Sequence, residues 1–324
     1  MKSAQFEKLG PPTTVLTLTD IPIPEPGPGE VVIKVNTCNI NPADIMFVQG
    51  MYGIRPELPS AAGFEGAGSI HTCGEGVQMP EGTRVVFITI GAWQQYVRVP
   101  AKTIIPIPDE LNDEVACQAF VNPFTAYGML ESSGLVAGDW LLLTAGASAC
   151  SKFVVQMCRE RQINTICTVR DDKQINTLKD TGATEVVNTE KDDLKAEVMR
   201  ITAKNGVKHV FEAVGGSLGT TALECITRGG TFTAYGMLSL QNMALNTSLL
   251  IFKNITVRGF WLTSWLGSLS KEEMILVSKK VMTALATQQV KADVEASYPL
   301  EEIIKAIEHM ESPGRNGKII LRPH

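Results

Sequence analysis

One stretch limits what this chain can fold into more than any other: residues 138–171, GDWLLLTAGASACSKFVVQMCRERQINTICTVRD. Residues 140–144 form a nearly uninterrupted apolar run, the pattern of a strand buried on both faces of a parallel sheet. Residues 145–149 are all small. Phe153, Val154, Met157, Cys158 and Arg161 then recur at helical spacing, and 163–169 turn β-branched again. A strand feeding a small-residue loop and a helix N-terminus makes an anion site, because free backbone N–H groups and the helix dipole both point into the loop. In a βαβ unit the leading ligand for such a site is a dinucleotide, although an ordinary buried strand–turn–helix has the same pattern.

The loop departs from the dinucleotide fingerprint G-x-G-x-x-G. Residues 145–151 read AGASACS, with a single glycine at Gly146. Small side chains still admit close approach, and Ser148 and Ser151 add hydroxyl groups. The following strand ends in Val169-Arg170-Asp171. An acidic residue near this point would hold the ribose of NAD, whereas Arg170 favours the 2′-phosphate of NADP. Asp171 beside it leaves NAD disfavoured rather than excluded.

Composition removes other classes. At 44% hydrophobic and 19% charged the chain is globular, and its length allows two domains with cores of their own. The net charge is −5 without a basic cluster, which argues against nucleic acid and anionic membrane as partners. No apolar run approaches the roughly 20 residues of a membrane span. The first residues, MKSAQFEKLGPP, lack the apolar centre of a signal peptide and the Arg-rich pattern of a transit peptide. A cytoplasmic protein, or a form already trimmed, is expected. Cys38, Cys73, Cys117, Cys150, Cys158, Cys167 and Cys225 are odd in number and form no Cys-x-x-Cys, so free buried thiols in a reducing compartment are expected. His71, His209, His309 and His324 have no carboxylate partner in sequence reach and suggest neither ligand nor base.

Read in order, residues 1 to about 115 look all-β, punctuated by Pro and Gly, with strand patterns at 31–35, 66–70, 84–90 and 95–99, interrupted by a segment of helical spacing after Pro42. Residues 114–131 have a helical pattern. Strands at 140–144, 163–169, 184–187, 207–214 and 231–235 then alternate with helices near 172–181, 192–204 and 217–227, which means a doubly wound parallel sheet. A strand-like run at 255–262 follows. Ser270 to Glu273 is a capping box opening a helix to about 287. A helix at 300–311 and a strand at 318–321 end the chain and are expected to return to the N-terminal domain.

Several motifs along this order resemble the medium-chain dehydrogenase/reductase superfamily over the whole chain. They are NPAD (41–44), QGMYG (49–53), VNPFTAY (121–127), AGASA (145–149), VRD (169–171), TAYGM (233–237), SLLIFK (248–253) and GFWL (259–262). Within the superfamily the chain is most similar to the mitochondrial-type 2-enoyl thioester reductases, close relatives of the quinone oxidoreductases. The resemblance implies an α/β fold: a GroES-like β-rich catalytic domain from 1–118 and 270–324, and a Rossmann domain with a doubly wound parallel sheet from 119–269. It also implies NADPH as cofactor and a homodimer paired through the strand near 255–262.

The zinc alcohol dehydrogenases of this superfamily hold zinc with a Cys before the motif Asp and with Gly-His-Glu. Here Asn41 precedes Asp44 and the second motif is Gly63-Phe64-Glu65, so a zinc-independent enzyme with no metal site is expected. Without a Lewis acid, reduction of a C=C activated by a carbonyl is the easier chemistry. In the resembling reductases a tyrosine after Gln-Gly-x donates to the carbonyl and supplies the proton, and Tyr52 matches it; a phenol stays protonated at neutral pH.

The cofactor contacts implied are Asn122 on the nicotinamide side, Ala147, Ser148, Ala149 and Cys150 at the pyrophosphate, and Arg170, Asp171 and Asp172 at the 2′-phosphate. Tyr235, Gly236, Met237 and Leu238 match a cofactor loop, Phe260, Trp261 and Leu262 a wall over the nicotinamide and acyl pocket, and Lys318 a C-terminal cofactor lysine. Asp172 stands where the family has a second Arg, and Lys173 is the neighbour expected to offset its charge. The expected reaction is NADPH-dependent reduction of a trans-2-enoyl thioester in an apolar crevice, with CoA or an acyl carrier protein carrying the acyl chain. Arg55 is the one nearby basic candidate for the mouth of that crevice. A quinone or general enone reductase is the alternative substrate class, and a protein that binds NADPH without turnover is the third reading.

Overall fold

The computed structural model describes residues 1–324. The chain forms two compact units, Met1–Val121 with Ser278–His324, and Asn122–Val277. The expected junctions at 118/119 and 269/270 lie a few residues before these, and the boundary at 277/278 falls inside a helix rather than at the turn before it.

The first unit begins with β1 (Lys2–Phe6), α1 (Pro12–Val15), β2 (Thr17–Asp20), β3 (Glu30–Asn39), α2 (Pro42–Val48) and β4 (Ser60–Ala61). It continues with β5 (Glu65–Cys73), β6 (Arg84–Ile88), β7 (Tyr96–Pro100), β8 (Ile105–Pro106) and α3 (Asp113–Ala116). β3 is buried over most of its length because β5 and β7 both pair with it antiparallel. Valine and isoleucine dominate such a strand because the β-branched side chain fits a pleated, covered surface. α2 has seven residues, too few to persist alone. Pro42 pre-sets its first turn, and the Asp44 carboxylate accepts from the Asn41 N–H (2.6 Å), one half of a capping box.

α4 (Val121–Glu131) leads into the second unit, with β9 (Trp140–Leu143), α5 (Ala149–Glu160), β10 (Asn164–Val169), α6 (Lys173–Thr181), β11 (Glu185–Asn188) and α7 (Leu194–Ile201). β12 (Val207–Glu212), α8 (Gly216–Glu224), β13 (Ile226–Ala234), α9 (Thr247–Lys253), β14 (Thr256–Gly259), α10 (Leu262–Gly267) and α11 (Lys271–Ala286) follow. All pairings in its sheet are parallel, in the order β11-β10-β9-β12-β13-β14. The strand order reverses at β9, so the loop after β9 sits at the topological switch point, where open α/β sheets bind ligands.

Three sequence expectations shift. The helical run 114–131 is two helices, because Pro123 has no N–H for a continuous helix and is tolerated only in the first turn of a new one. The helix expected to 227 ends at Glu224, and β-branched Ile226 and Thr227 already belong to β13. The strand-like run 255–262 is strand only to Gly259.

The tail adds β15 (Val294–Pro299), α12 (Ile303–Glu311) and β16 (Lys318–Arg322) to the first unit. β16 pairs antiparallel with β3, Ile320 opposite Asn39 and Leu321 opposite Cys38. Ile303, Ala306, Ile307 and Met310 of α12 join the core that holds Phe6, Phe47, Phe87 and Trp93. Each large apolar side chain buried there stabilises the unit by roughly 1.5–3 kcal/mol, so the first unit needs its distant tail to complete its core.

Candidate active site

In the second unit the chain leaves β9 through Ala145, whose φ of +48° is a left-handed value usually left to glycine. Gly146 follows and donates to Thr168 O (2.8 Å). A Cβ at 146 would lie 2.6 Å from Cys167 Cβ, so the loop runs too close to β10 for any side chain. Ser148 caps α5, its Oγ accepting from Ser151 N (3.2 Å). No acidic residue stands in the first turn of α5.

Other candidate residues gather on this loop. Tyr235 Oη lies 3.3 Å from Ser151 Oγ, and Cys150 Sγ lies 3.9 Å from Asn122 O. Burial, reinforced by Cys150, pushes the Tyr235 phenol well above its ordinary pKa, so it stays protonated. Gly236 passes so close to β12 that a Cβ would meet Ala213 O at 2.8 Å. Met237 and Leu238 are exposed on the turn that follows. A cradle of small residues at a helix N-terminus, without acidic side chains, fits the pyrophosphate of a dinucleotide.

Arg170 is exposed at the end of β10 and makes no ion pair. Asp171 turns back to accept from Lys173 N (3.0 Å). The charge of Asp172 is offset by Lys191, not by Lys173 as expected. Lys173 opens α6, whereas the loop after β11 brings Lys191 alongside Asp172 as an ion pair, and Asn188 Nδ2 donates to the same carboxylate (2.5 Å). These two partners hold the Asp172 carboxyl below its ordinary pKa. Arg170 therefore stands as an open cation where a 2′-phosphate would be recognised, which fits the phosphorylated cofactor.

Phe260 and Trp265 pack together (6.1 Å between centroids) over Gly128 of α4, where a Cβ would meet both rings at under 3 Å. Trp261 is half-exposed at the start of α10, and Leu262 is its first residue. One organising residue escaped the sequence reading. Glu212, buried at the end of β12, accepts from Val214 N (2.6 Å), Gly215 N (2.8 Å) and Thr144 Oγ1 (3.2 Å). Its signal was a carboxylate closing an apolar strand just before Gly215-Gly216. His209 is buried with Nε2 2.8 Å from Thr233 Oγ1, and burial pushes its pKa down to about 4, so it is neutral.

In the first unit Tyr52 follows α2 and is partly buried. Its ring stacks at 5.2 Å and 39° on Phe64, which packs on Phe47 at 5.1 Å, which packs on Phe6 at 5.9 Å. A phenyl group thus sits where the zinc enzymes have a histidine, and it supports the candidate proton donor. The next residue, Glu65, belongs to a buried polar cluster. Its Oε1 accepts from Asn39 Nδ2 and Asn41 Nδ2 (both 2.8 Å), and its Oε2 from Val121 N (2.8 Å). Lys318 is buried here, donating to Ile40 O (3.0 Å) and to Asn41 Oδ1. Burial raises the Asp44 carboxyl to about 7 and also raises Glu65, and it lowers the Lys318 ammonium to about 8. All seven cysteines are free thiols.

Residues 27–109 match the family model for the alcohol dehydrogenase GroES-like domain, and residues 151–279 that for zinc-binding dehydrogenase. The mitochondrial enoyl-acyl-carrier-protein reductase of Xenopus tropicalis is 31% identical over 327 residues, covering 98% of this chain and 93% of that one. The chain is a medium-chain dehydrogenase/reductase. The human enoyl-acyl-carrier-protein reductase is 30% identical over 322 residues, covering 96% of this chain and 86% of its own. Among solved structures, the Escherichia coli quinone oxidoreductase complexed with NADPH superposes with a TM-score of 0.93 at 25% identity, with all of both chains covered. The GroES-like domain and parallel Rossmann sheet of this dehydrogenase/reductase are those expected from its motifs.

Proposed function

We propose that this dehydrogenase/reductase saturates the C=C bond of a trans-2-enoyl thioester. It is an NADPH-dependent oxidoreductase; the single observation behind the thioester substrate is Tyr52 on its phenylalanine column, in a chain whose relatives along its length are enoyl-acyl-carrier-protein reductases. Ser148, Gly146 and the first turn of α5 would hold the cofactor pyrophosphate, and Arg170 its 2′-phosphate. Bound NADPH supplies a hydride for the β-carbon. Charge then collects on the thioester oxygen, where the Tyr52 hydroxyl donates a hydrogen bond, and the same phenol delivers the proton to the α-carbon.

Tyr52→Phe tests this directly. We expect kcat on a medium-chain trans-2-enoyl-CoA to fall by about 10²–10⁴ with NADPH affinity unchanged. Full activity in that variant refutes the assignment. A quinone substrate is the second reading, favoured by the likeness to the E. coli quinone oxidoreductase. A protein that only binds NADPH would quench or shift cofactor fluorescence and show no substrate-dependent oxidation.

A homodimer is part of the proposal. β14 is an edge strand, and Val257 on it and Ile251 and Phe252 on α9 are exposed, Phe252 by 69%. An open strand edge beside apolar side chains suits pairing with a second copy. Light scattering that gives only the 35.1 kDa monomer refutes it.

A further inference from the structure

We propose that Lys318 is a positioning residue for Tyr52, acting from inside the first unit through the two elements that support the tyrosine. This inference rests on the reading of Tyr52 as proton donor. Tyr52 has two supports. One is α2, which ends a few residues before it; the other is Phe64, on which its ring stacks at 5.2 Å. Each support is bonded to the next link of a single buried chain. Asn41 opens α2, and Glu65 follows Phe64. Asn41 Nδ2 donates to Glu65 Oε1 (2.8 Å), and the Asn41 amide oxygen is taken by the Lys318 ammonium.

Lys318 is 4% exposed, and Ile40 O and Asn41 Oδ1 occupy two of its three donors. That leaves little of the ammonium for the cofactor, the contact that the family resemblance implies. Its orientation is also fixed from both sides. β16 is locked to β3 by pairing, so the lysine stem starts from a rigid strand. The Asp44 carboxylate holds the Asn41 N–H (2.6 Å), so the amide that the ammonium grips is itself fixed. The charged and titratable groups facing Lys318 are Glu65 from β5, Asp44 from α2, Cys117 after α3 and Arg315 from its own tail. Two carboxylates against one ammonium make the lysine the cation of the cluster. A buried ion pair adds little net stability once its desolvation is counted, which leaves the fixing of geometry as its role in this proposal. A displacement of about 1 Å at a catalytic group can cost on the order of 100-fold in rate.

The test uses the full-length enzyme labelled with 3-fluorotyrosine, whose five tyrosine signals include one lost in Tyr52→Phe. In Lys318→Met we expect the Tyr52 signal to move or broaden while those of Tyr96, Tyr127, Tyr235 and Tyr298 hold. We also expect kcat on trans-2-enoyl-CoA to fall about 10- to 100-fold with the NADPH dissociation constant within twofold of wild type. If Lys318→Met does not fold, Lys318→Gln keeps a neutral hydrogen-bond donor on the same strand, and a Tyr52 shift in the same direction is expected there. A Tyr52 signal that stays in place in the folded variant overturns the proposal, as does a tenfold loss of NADPH affinity, which would make Lys318 a cofactor contact. Retained kcat in Tyr52→Phe would defeat the proton-donor reading, and the fluorine signal would still decide whether Lys318 positions the ring.

Discussion

Each unit buries a carboxylate near candidate functional residues of its own, and the two are handled differently. Glu212 in the second unit meets backbone N–H groups and a hydroxyl, all neutral donors at the C-terminal edge of the sheet. It shapes the turns around the cofactor loop and needs no counter-charge. Glu65 in the first unit shares a buried cluster with Asp44 and Lys318, and its donors include two side-chain amides. The second unit thus uses a carboxylate to organise backbone, while the first uses a network of mixed charge to orient side chains. The network of the first unit depends on which of its groups carry protons.

Truncating each carboxylate tests that contrast most strongly. Glu65→Ala leaves a buried ammonium with one carboxylate and strips acceptors from two amides, and should destabilise the protein by about 3–5 kcal/mol. Glu212→Ala leaves two backbone N–H groups unsatisfied and should cost about 2–4 kcal/mol. Urea unfolding at neutral pH measures both, and a larger loss in Glu212→Ala would break the comparison.

pH sharpens it. Asp44 keeps its proton to about 7 in the folded chain against 3.8 for a free aspartate. Folding therefore takes up a proton between those values, and stability falls as pH rises from about 4 to 7, by at most roughly 1.4 kcal/mol per pH unit. Lys318, lowered to about 8 from 10.5, gives the opposite sign: stability recovers as pH rises through that window. Asp44→Asn should flatten the acidic limb. An unchanged slope in unfolding midpoints from pH 5 to 7 would show that the cluster does not titrate as described.

The smallest expected effect concerns the cofactor. Arg170→Ala should weaken NADPH binding about tenfold and leave NADH binding nearly unchanged, since a single charged contact to one phosphate is removed. Fluorescence titration with both cofactors reads the ratio, and equal loss for both would mean that Arg170 does not select.

What was legible in the sequence follows local periodicity. The apolar run 140–144, the small loop and the β-branched strand after it announced the parallel sheet, because a strand covered on both faces must be apolar throughout. Motif resemblance placed Tyr52, Asn122 and the loop from Ala147 to Cys150, and the structure brings Asn122, Ser148, Cys150 and Tyr235 together. The first strands, β1 and β2, were missed because their pattern is short and mixed. Long-range pairings were missed for a different reason. That Lys191 and Asn188 hold Asp172, that Asn41 links Glu65 to Lys318, and that Phe64 stacks on Tyr52 depend on loops and strands meeting in space. Glu212 looked like a charge at a strand end, and Lys318 was matched by its motif to a cofactor lysine. Only burial distinguishes such a residue from a solvated one.

The measurement that bears most directly on the central claim is NADPH oxidation followed by absorbance, with a medium-chain trans-2-enoyl-CoA, a para-quinone and a simple enone in parallel and NADH run beside NADPH. The account predicts turnover of the thioester above both others, with NADPH preferred. Turnover of the quinone or enone with none of the thioester would contradict it.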